Sequence, residues 1–190
     1  RTAFHYLREN NRIDEYYDYL KGEIFREEFW SKIPDHLIKS VINSEISAES
    51  LPSIFERIDK ELGEKKVDLV IGGPPCQAYS VAGRARDPKG MTEDPRNYLY
   101  KYYVEFLKRY KPKMFVFENV MGILTAKGGG PYRHLQELVA KLGYKIDAKE
   151  HIASNYGVLQ KRHRYIIVGW KETDENGIHT NLSYPNLEIQ

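Results

Sequence analysis

The sequence is short of the features that mark specialised protein classes. It holds one cysteine, Cys76, which excludes an internal disulfide framework and a cysteine-rich zinc site. No stretch approaches the ~18 consecutive apolar residues of a membrane span, so no membrane partner is expected. Neither sign of charge dominates: 29 Lys and Arg stand against 27 Asp and Glu, a net of +2 with neutral histidines. The bulk basicity that alone implies a nucleic-acid partner is therefore missing. Internal repeats and low-complexity segments are absent as well. No signal peptide opens the chain, which reads as intracellular, cytoplasmic if bacterial. It begins with Arg1 rather than Met, so a longer parent protein is expected.

What is present suits a folded domain. The 190 residues are 41% hydrophobic and carry 15 Tyr, 7 Phe and 2 Trp, too many large side chains for disorder. The mean hydropathy is −0.61. One domain is the first expectation for this length.

Residues 1–10 and 13–21 read as helices, although Tyr16, Tyr17 and Tyr19 share no single face. Ile38, Val41 and Ile42 could end a helix or begin a strand. From Glu49 to Leu62 apolar residues recur every three or four positions, which predicts an amphipathic helix stopped by Gly63. Val67 to Ile71 reads as a buried strand running into Gly72-Gly73-Pro74-Pro75. The segment from Ala78 to Pro95 has no apolar periodicity, and loops of that length are usually functional. A helix follows over 96–111, with Leu99, Tyr103, Phe106, Leu107 and Tyr110 inward. Lys113 to Phe117 is a second buried strand. Pro131 opens another helix, which Gly143 ends. Residues 144–152 and 164–170 read as two further strands, antiparallel to each other. Strands alternating with helices predict an α/β layer fold with a mostly parallel sheet. Ligands of such sheets bind beyond the carboxyl ends of the strands, where Cys76 and Glu118 fall.

A lone cysteine most often fills core space. Cys76 instead follows two glycines and two prolines at a strand end, a place that can hold a nucleophilic thiol. Glu118 could simply cap a turn, but at the end of an apolar strand its carboxylate should be desolvated and become a proton donor near neutrality. In Gln160-Lys161-Arg162-His163-Arg164, strand alternation would put Gln160, Arg162 and Arg164 on one side and Lys161 and His163 on the other. Two arginines on one face suit carboxylate, phosphate or carbonyl oxygens. A thiol hydrolase pairing Cys76 with His163 is a rival, weakened because alternation turns His163 away from the arginines.

Taken in order, Gly-Gly-Pro-Pro-Cys-Gln-Ala-Tyr-Ser, Asp-Pro-Arg-Asn-Tyr-Leu, Lys-Pro-Lys-Met-Phe-Val-Phe-Glu-Asn-Val and Gln-Lys-Arg-His-Arg resemble the cytosine-C5 DNA methyltransferases, over about residues 40–170. The resemblance implies a Rossmann-like, S-adenosylmethionine-dependent methyltransferase fold. It implies that Cys76 adds to C6 of cytosine, that Glu118 holds N3 and the exocyclic amine, that Arg164 contacts the base carbonyl and that Arg162 helps hold the site. Double-stranded DNA is the implied substrate, with the target base flipped out. Residues 77–95, with Gln77, Ser80, Arg84 and Arg86, match the family's mobile catalytic loop, and Gln160 is a further DNA-binding candidate. Pro74 and Leu99 match positions lining the methyl-donor pocket, and Glu45-Ile46 falls where the family usually has Asp-Ile near the adenine. No metal is implied. A cognate restriction endonuclease is an implied functional partner, not a physical one.

The family's first strand with its Gly-rich cofactor loop, the ribose-binding acid and the target-recognition domain are not found in this chain. Residues 1–190 are accordingly expected to be part of a catalytic domain, inactive alone, within an active parent. A tRNA cytosine-C5 methyltransferase and a non-catalytic homologue are the alternatives within the family.

Overall fold

The computed structural model describes residues 2–75 and 98–173. Cys76, Gln77, Ser80, Arg84 and Arg86, and with them the expected catalytic loop, lie outside the described residues. The chain divides into two units, Arg1–Gly63 and Glu64–Gln190.

The first unit is helical: α1 (Thr2–Glu9), α2 (Ile13–Lys21), α3 (Arg26–Ser31), α4 (Asp35–Lys39) and α5 (Leu51–Leu62). Its core is Ala3, Leu7, Phe29 and Ile33, with Tyr16 and Tyr19 packed on it. Tyr19 stacks on Phe29 with ring centroids 4.3 Å apart, while Tyr17 stays exposed. The tyrosines thus divide between core and surface, as their spacing suggested. Gly22 adopts φ 82°, the left-handed conformation that closes α2 and that glycine takes without strain. Ile38 belongs to α4, whereas Val41 and Ile42 lie in neither a helix nor a strand.

The second unit carries the sheet. In chain order its elements are β1 (Leu69–Gly72), α6 (Leu99–Tyr110), β2 (Met114–Asn119), α7 (Gly122–Thr125), α8 (Gly130–Lys141), β3 (Tyr144–Ile152) and β4 (His163–Lys171). The strand order is β1-β2-β4-β3. β1 and β2 are parallel, and β4 runs antiparallel to both β2 and β3. The α/β class and the antiparallel β3–β4 pair agree with the sequence reading. The described sheet is mixed rather than mostly parallel. The short connection over 153–162 returns the chain beside β3, and strands joined that closely must run antiparallel.

One apolar layer fills the space between α6, α8 and one sheet face, built from Tyr100, Tyr103, Val104, Leu107, Phe115, Phe117, Leu135, Val139 and Ile167. The inner face of α6 is rotated from the expected one: Tyr100 and Val104 are buried, and Leu99 is only half-buried. β1 also departs from expectation. Its Ile71 is 70% exposed, because β1 is an edge among the described strands and Ile71 points away from α6. Two glycines permit close packing. A Cβ on Gly72 would lie 2.6 Å from the Tyr103 ring, and one on Gly169 would overlap the Phe115 ring.

Tyr103 ties helix to sheet. Its hydroxyl lies 3.1 Å from the Val70 carbonyl and 3.0 Å from the Val116 carbonyl, and its single proton is shared between them. Burial pushes the Tyr103 hydroxyl well above the ordinary tyrosine range and pushes Tyr144 up to about 12. A raised folded-state value favours the neutral, protonated form. The stability it contributes is complete below the unfolded value near 10 and is lost as pH rises towards the folded value. Tyr103→Phe should cost about 1 kcal/mol in urea unfolding at pH 7 and should flatten the loss of stability above pH ~10.

Candidate active site

The site begins with the alternation of β2. Phe115, Phe117 and Asn119 face the apolar layer, so Glu118 emerges on the opposite face. Glu118 stands in register with Ile166 of β4, and Arg164 lies two residues along on that same face. Arg164 Nε meets Glu118 Oε1 at 2.5 Å, and its Nη1 donates to the His163 carbonyl at 2.7 Å. The guanidinium is thereby fixed at two atoms, while Nη2 has no partner among the described residues. The Glu118 carboxylate, expected to be partly desolvated at its strand end, is 41% exposed and ion-paired.

The turn after β1 closes over this pair. A Cβ on Gly73 would come within 2.7 Å of Glu118 Oε2, so the bare glycine leaves that oxygen room. Asn119, only 2% exposed, donates to the Pro74 carbonyl at 3.4 Å and accepts from the Val120 amide at 2.9 Å. Pro74 is thus tied to the end of β2, and Cys76 follows it by two residues in the sequence.

Arg162 and Gln160 do not share the face of Arg164 through strand alternation, because β4 starts only at His163. The Gln160 amide bonds to the Val158 carbonyl at 2.7 Å, and the Arg162 amide bonds to the Gln160 carbonyl at 2.9 Å. This tight turn overrides the extended pattern, and both residues are exposed. The expected pair of arginines is therefore one partly buried arginine on the strand, Arg164, and one surface arginine, Arg162. His163 does point to the other face, where its Nδ1 meets Glu150 Oε1 at 2.6 Å.

Glu45 and Ile46 belong to the first unit. Ser50 Oγ bonds to the Glu45 carbonyl, and Ser47 and Ser50 exchange bonds ahead of α5. The Glu45 carboxylate is exposed without a partner among the described residues, beside an Ile46 that is 42% exposed. Among the described residues, no group of three or more His, Cys, Asp or Glu could hold a metal ion, and no helix is long and apolar enough to cross a membrane.

The family model for C-5 cytosine-specific DNA methylase matches residues 29–189. The chain belongs to that family. Among curated relatives, the cytosine-C5 methylase chain is 33% identical to Type II methyltransferase M.Bpa9945I of Bacillus paralicheniformis, over 99% of this chain and 47% of that protein. It is 36% identical to Type II methyltransferase M1.HphI of Haemophilus parahaemolyticus, over 76% of this chain and 37% of that protein. A solved structure described as a prophage-encoded DNA modification methyltransferase of E. coli shares 31% identity over 66% of this chain and 31% of its own, with a TM-score of 0.48. The chain thus spans about half or less of these relatives.

Two residues of this methylase chain were passed over in the sequence. Asn119 follows Glu118 and carried its own signal, since alternation puts it on the buried face with Phe117. Gly73 gave no signal beyond its place in the turn. Asn119→Ala removes a buried donor and acceptor pair and should cost about 1–3 kcal/mol in thermal or urea unfolding.

Proposed function

We propose that the complete protein transfers a methyl group from S-adenosylmethionine to C5 of cytosine in double-stranded DNA. The observation that carries this reading is the Glu118–Arg164 pair at 2.5 Å, set under the turn that leads to Cys76. C5 of cytosine is a weak nucleophile. Addition of the Cys76 thiolate to C6 forms an S–C6 bond and pushes an electron pair towards C5. Glu118 Oε2, open because Gly73 has no side chain, faces N3 and the exocyclic amine and supports protonation there. Arg164 Nη2 is left for the base carbonyl, since its other nitrogens are engaged by Glu118 and the His163 carbonyl. Bound S-adenosylmethionine supplies an electrophilic methyl group to C5. Loss of the C5 proton and departure of the Cys76 thiolate restore the aromatic ring.

Such chemistry requires the base outside the helix stack. Pro74 and Leu99 are the residues of the second unit that would hold the cofactor. Gln77, Ser80, Arg84, Arg86 and Gln160 would meet the DNA, with Arg162 supporting the site. Residues 77–95 serve as the catalytic loop of a partial catalytic domain. The type II names of the relatives support a place in restriction–modification beside an endonuclease of the same specificity, and so inside the cell.

The test is a covalent trap. The complete chain, with cofactor, should form a denaturation-resistant adduct on a duplex containing 5-fluorocytosine. Cys76→Ser should abolish both adduct and methylation, and Glu118→Gln should slow methylation by about 10²–10⁴-fold. Methylation that survives Cys76→Ser, or that occurs on RNA and not DNA, would defeat the reading. Gly73→Ala should slow methylation by at least ~10-fold while leaving stability within ~1 kcal/mol, because the displaced atom ends a flexible side chain.

A further inference from the structure

Between β3 and β4 the chain makes a turn whose apex is apolar. Leu159 is wholly exposed and Val158 is 50% exposed. Fraying does not explain this, because the backbone is bonded on both sides of the apex. The Val158 amide bonds to the Ala153 carbonyl at 3.3 Å, and the Ala153 amide bonds to the Arg162 carbonyl at 2.9 Å. The turn is a fixed object that presents a leucine to solvent.

Its descending side is cationic. Lys161 and Arg162 follow the apex after Gln160 and both are exposed, and no Asp or Glu lies in residues 151–162. Lys161 is exposed and has no ion pair among the described residues. A branched apolar side chain with the exposed Lys161 two residues away is complementary to a duplex edge, where phosphates border stacked, apolar base faces.

The position is also right. Leu159 precedes Arg164 by five residues, which limits their Cα separation to about 18 Å. At 3.4 Å per base step that is at most about five steps from a base held by Arg164 and Glu118. The apex is therefore near enough to that pair to meet the same duplex.

We propose that the Val158–Leu159 apex is a duplex-DNA contact: Leu159 packs against the base steps beside the flipped-out nucleotide, and Lys161 neutralises a neighbouring phosphate. The inference rests on the DNA methylation reading above. Leu159 fills space that the extruded base vacates or opens, and this favours the flipped state over the stacked one.

The complete chain is tested on duplexes carrying 2-aminopurine at the target position. Leu159→Ala should weaken duplex binding by about tenfold and lower the 2-aminopurine signal at saturating DNA, with unchanged cofactor binding and melting temperature. Leu159→Met should restore both. Lys161→Gln should reduce the slope of log affinity against log salt by about 1. Leu159→Ala that binds and flips DNA within twofold of wild type overturns the proposal. So does a lowered melting temperature, since the apex would then pack against the protein itself. If wild type prefers structured RNA, or fails to methylate duplex DNA, the parent reading fails first. If wild type methylates DNA and Leu159→Ala matches it, only the apex proposal falls.

Discussion

Phe115 and Phe117 have to enter the apolar layer beneath α6 and α8, and that requirement decides where Glu118 goes. A strand has only two faces. Once two phenylalanines take one face, the carboxylate that follows them takes the other, and Asn119 returns to the buried side. The buried Asn119 then needs polar partners, and finds them in the Pro74 carbonyl and the Val120 amide. One packing demand thus orients the carboxylate and, through its neighbour, anchors the turn that leads to Cys76. Burial supplies the energy here. The Glu118–Arg164 pair is partly exposed, and such pairs contribute about 1 kcal/mol or less to stability. Its value is orientation. With Nε and Nη1 each holding a partner, the plane of the guanidinium is set and Nη2 keeps both of its protons to donate.

Close approach is the second constraint. Gly72 admits the Tyr103 ring and Gly73 admits the Glu118 carboxylate. The two glycines are adjacent, and strand geometry sends their missing side chains to opposite faces. One absence is filled by the core and the other is left to the site. A Gly-Gly pair in such a turn is easily taken for flexibility or for a phosphate cradle. Here both positions are explained by what a methyl group would strike.

These details show why some of the architecture was legible in the sequence and some was not. α5, β2 and the end of α8 follow from local rules: helical spacing, an aromatic and β-branched run, and the left-handed conformation at Gly143. The family signatures delivered Glu118 and Arg164, which the structure brings together. Alternation failed at Gln160 and Arg162 because each amide found a carbonyl two residues back, and a local hydrogen bond outweighs a pattern whose strand has not yet begun. The buried strand expected at β1 failed for a different reason. An apolar run reports what a strand can bury, while the sheet order decides whether anything is there to bury it. The same distinction separates the parallel sheet expected from alternating elements from the mixed sheet observed, since chain order does not fix the place of β4 between β2 and β3.

The failed alternation is itself informative. Had residues 160–164 been one extended strand, Gln160, Arg162 and Arg164 would form a single polar row beside Glu118. The turn breaks that row into two placements. Arg164 stays with the strand, is held at two atoms and faces the carboxylate. Gln160, Lys161 and Arg162 go to the surface with an apolar apex ahead of them. A group that must meet a base within tenths of an ångström belongs on a strand, where packing limits its freedom. Groups that meet a duplex, whose phosphates can be reached from many angles, lose little by sitting on a turn. The hydrogen bonds that defeated the sequence pattern are what divide the segment into these two parts.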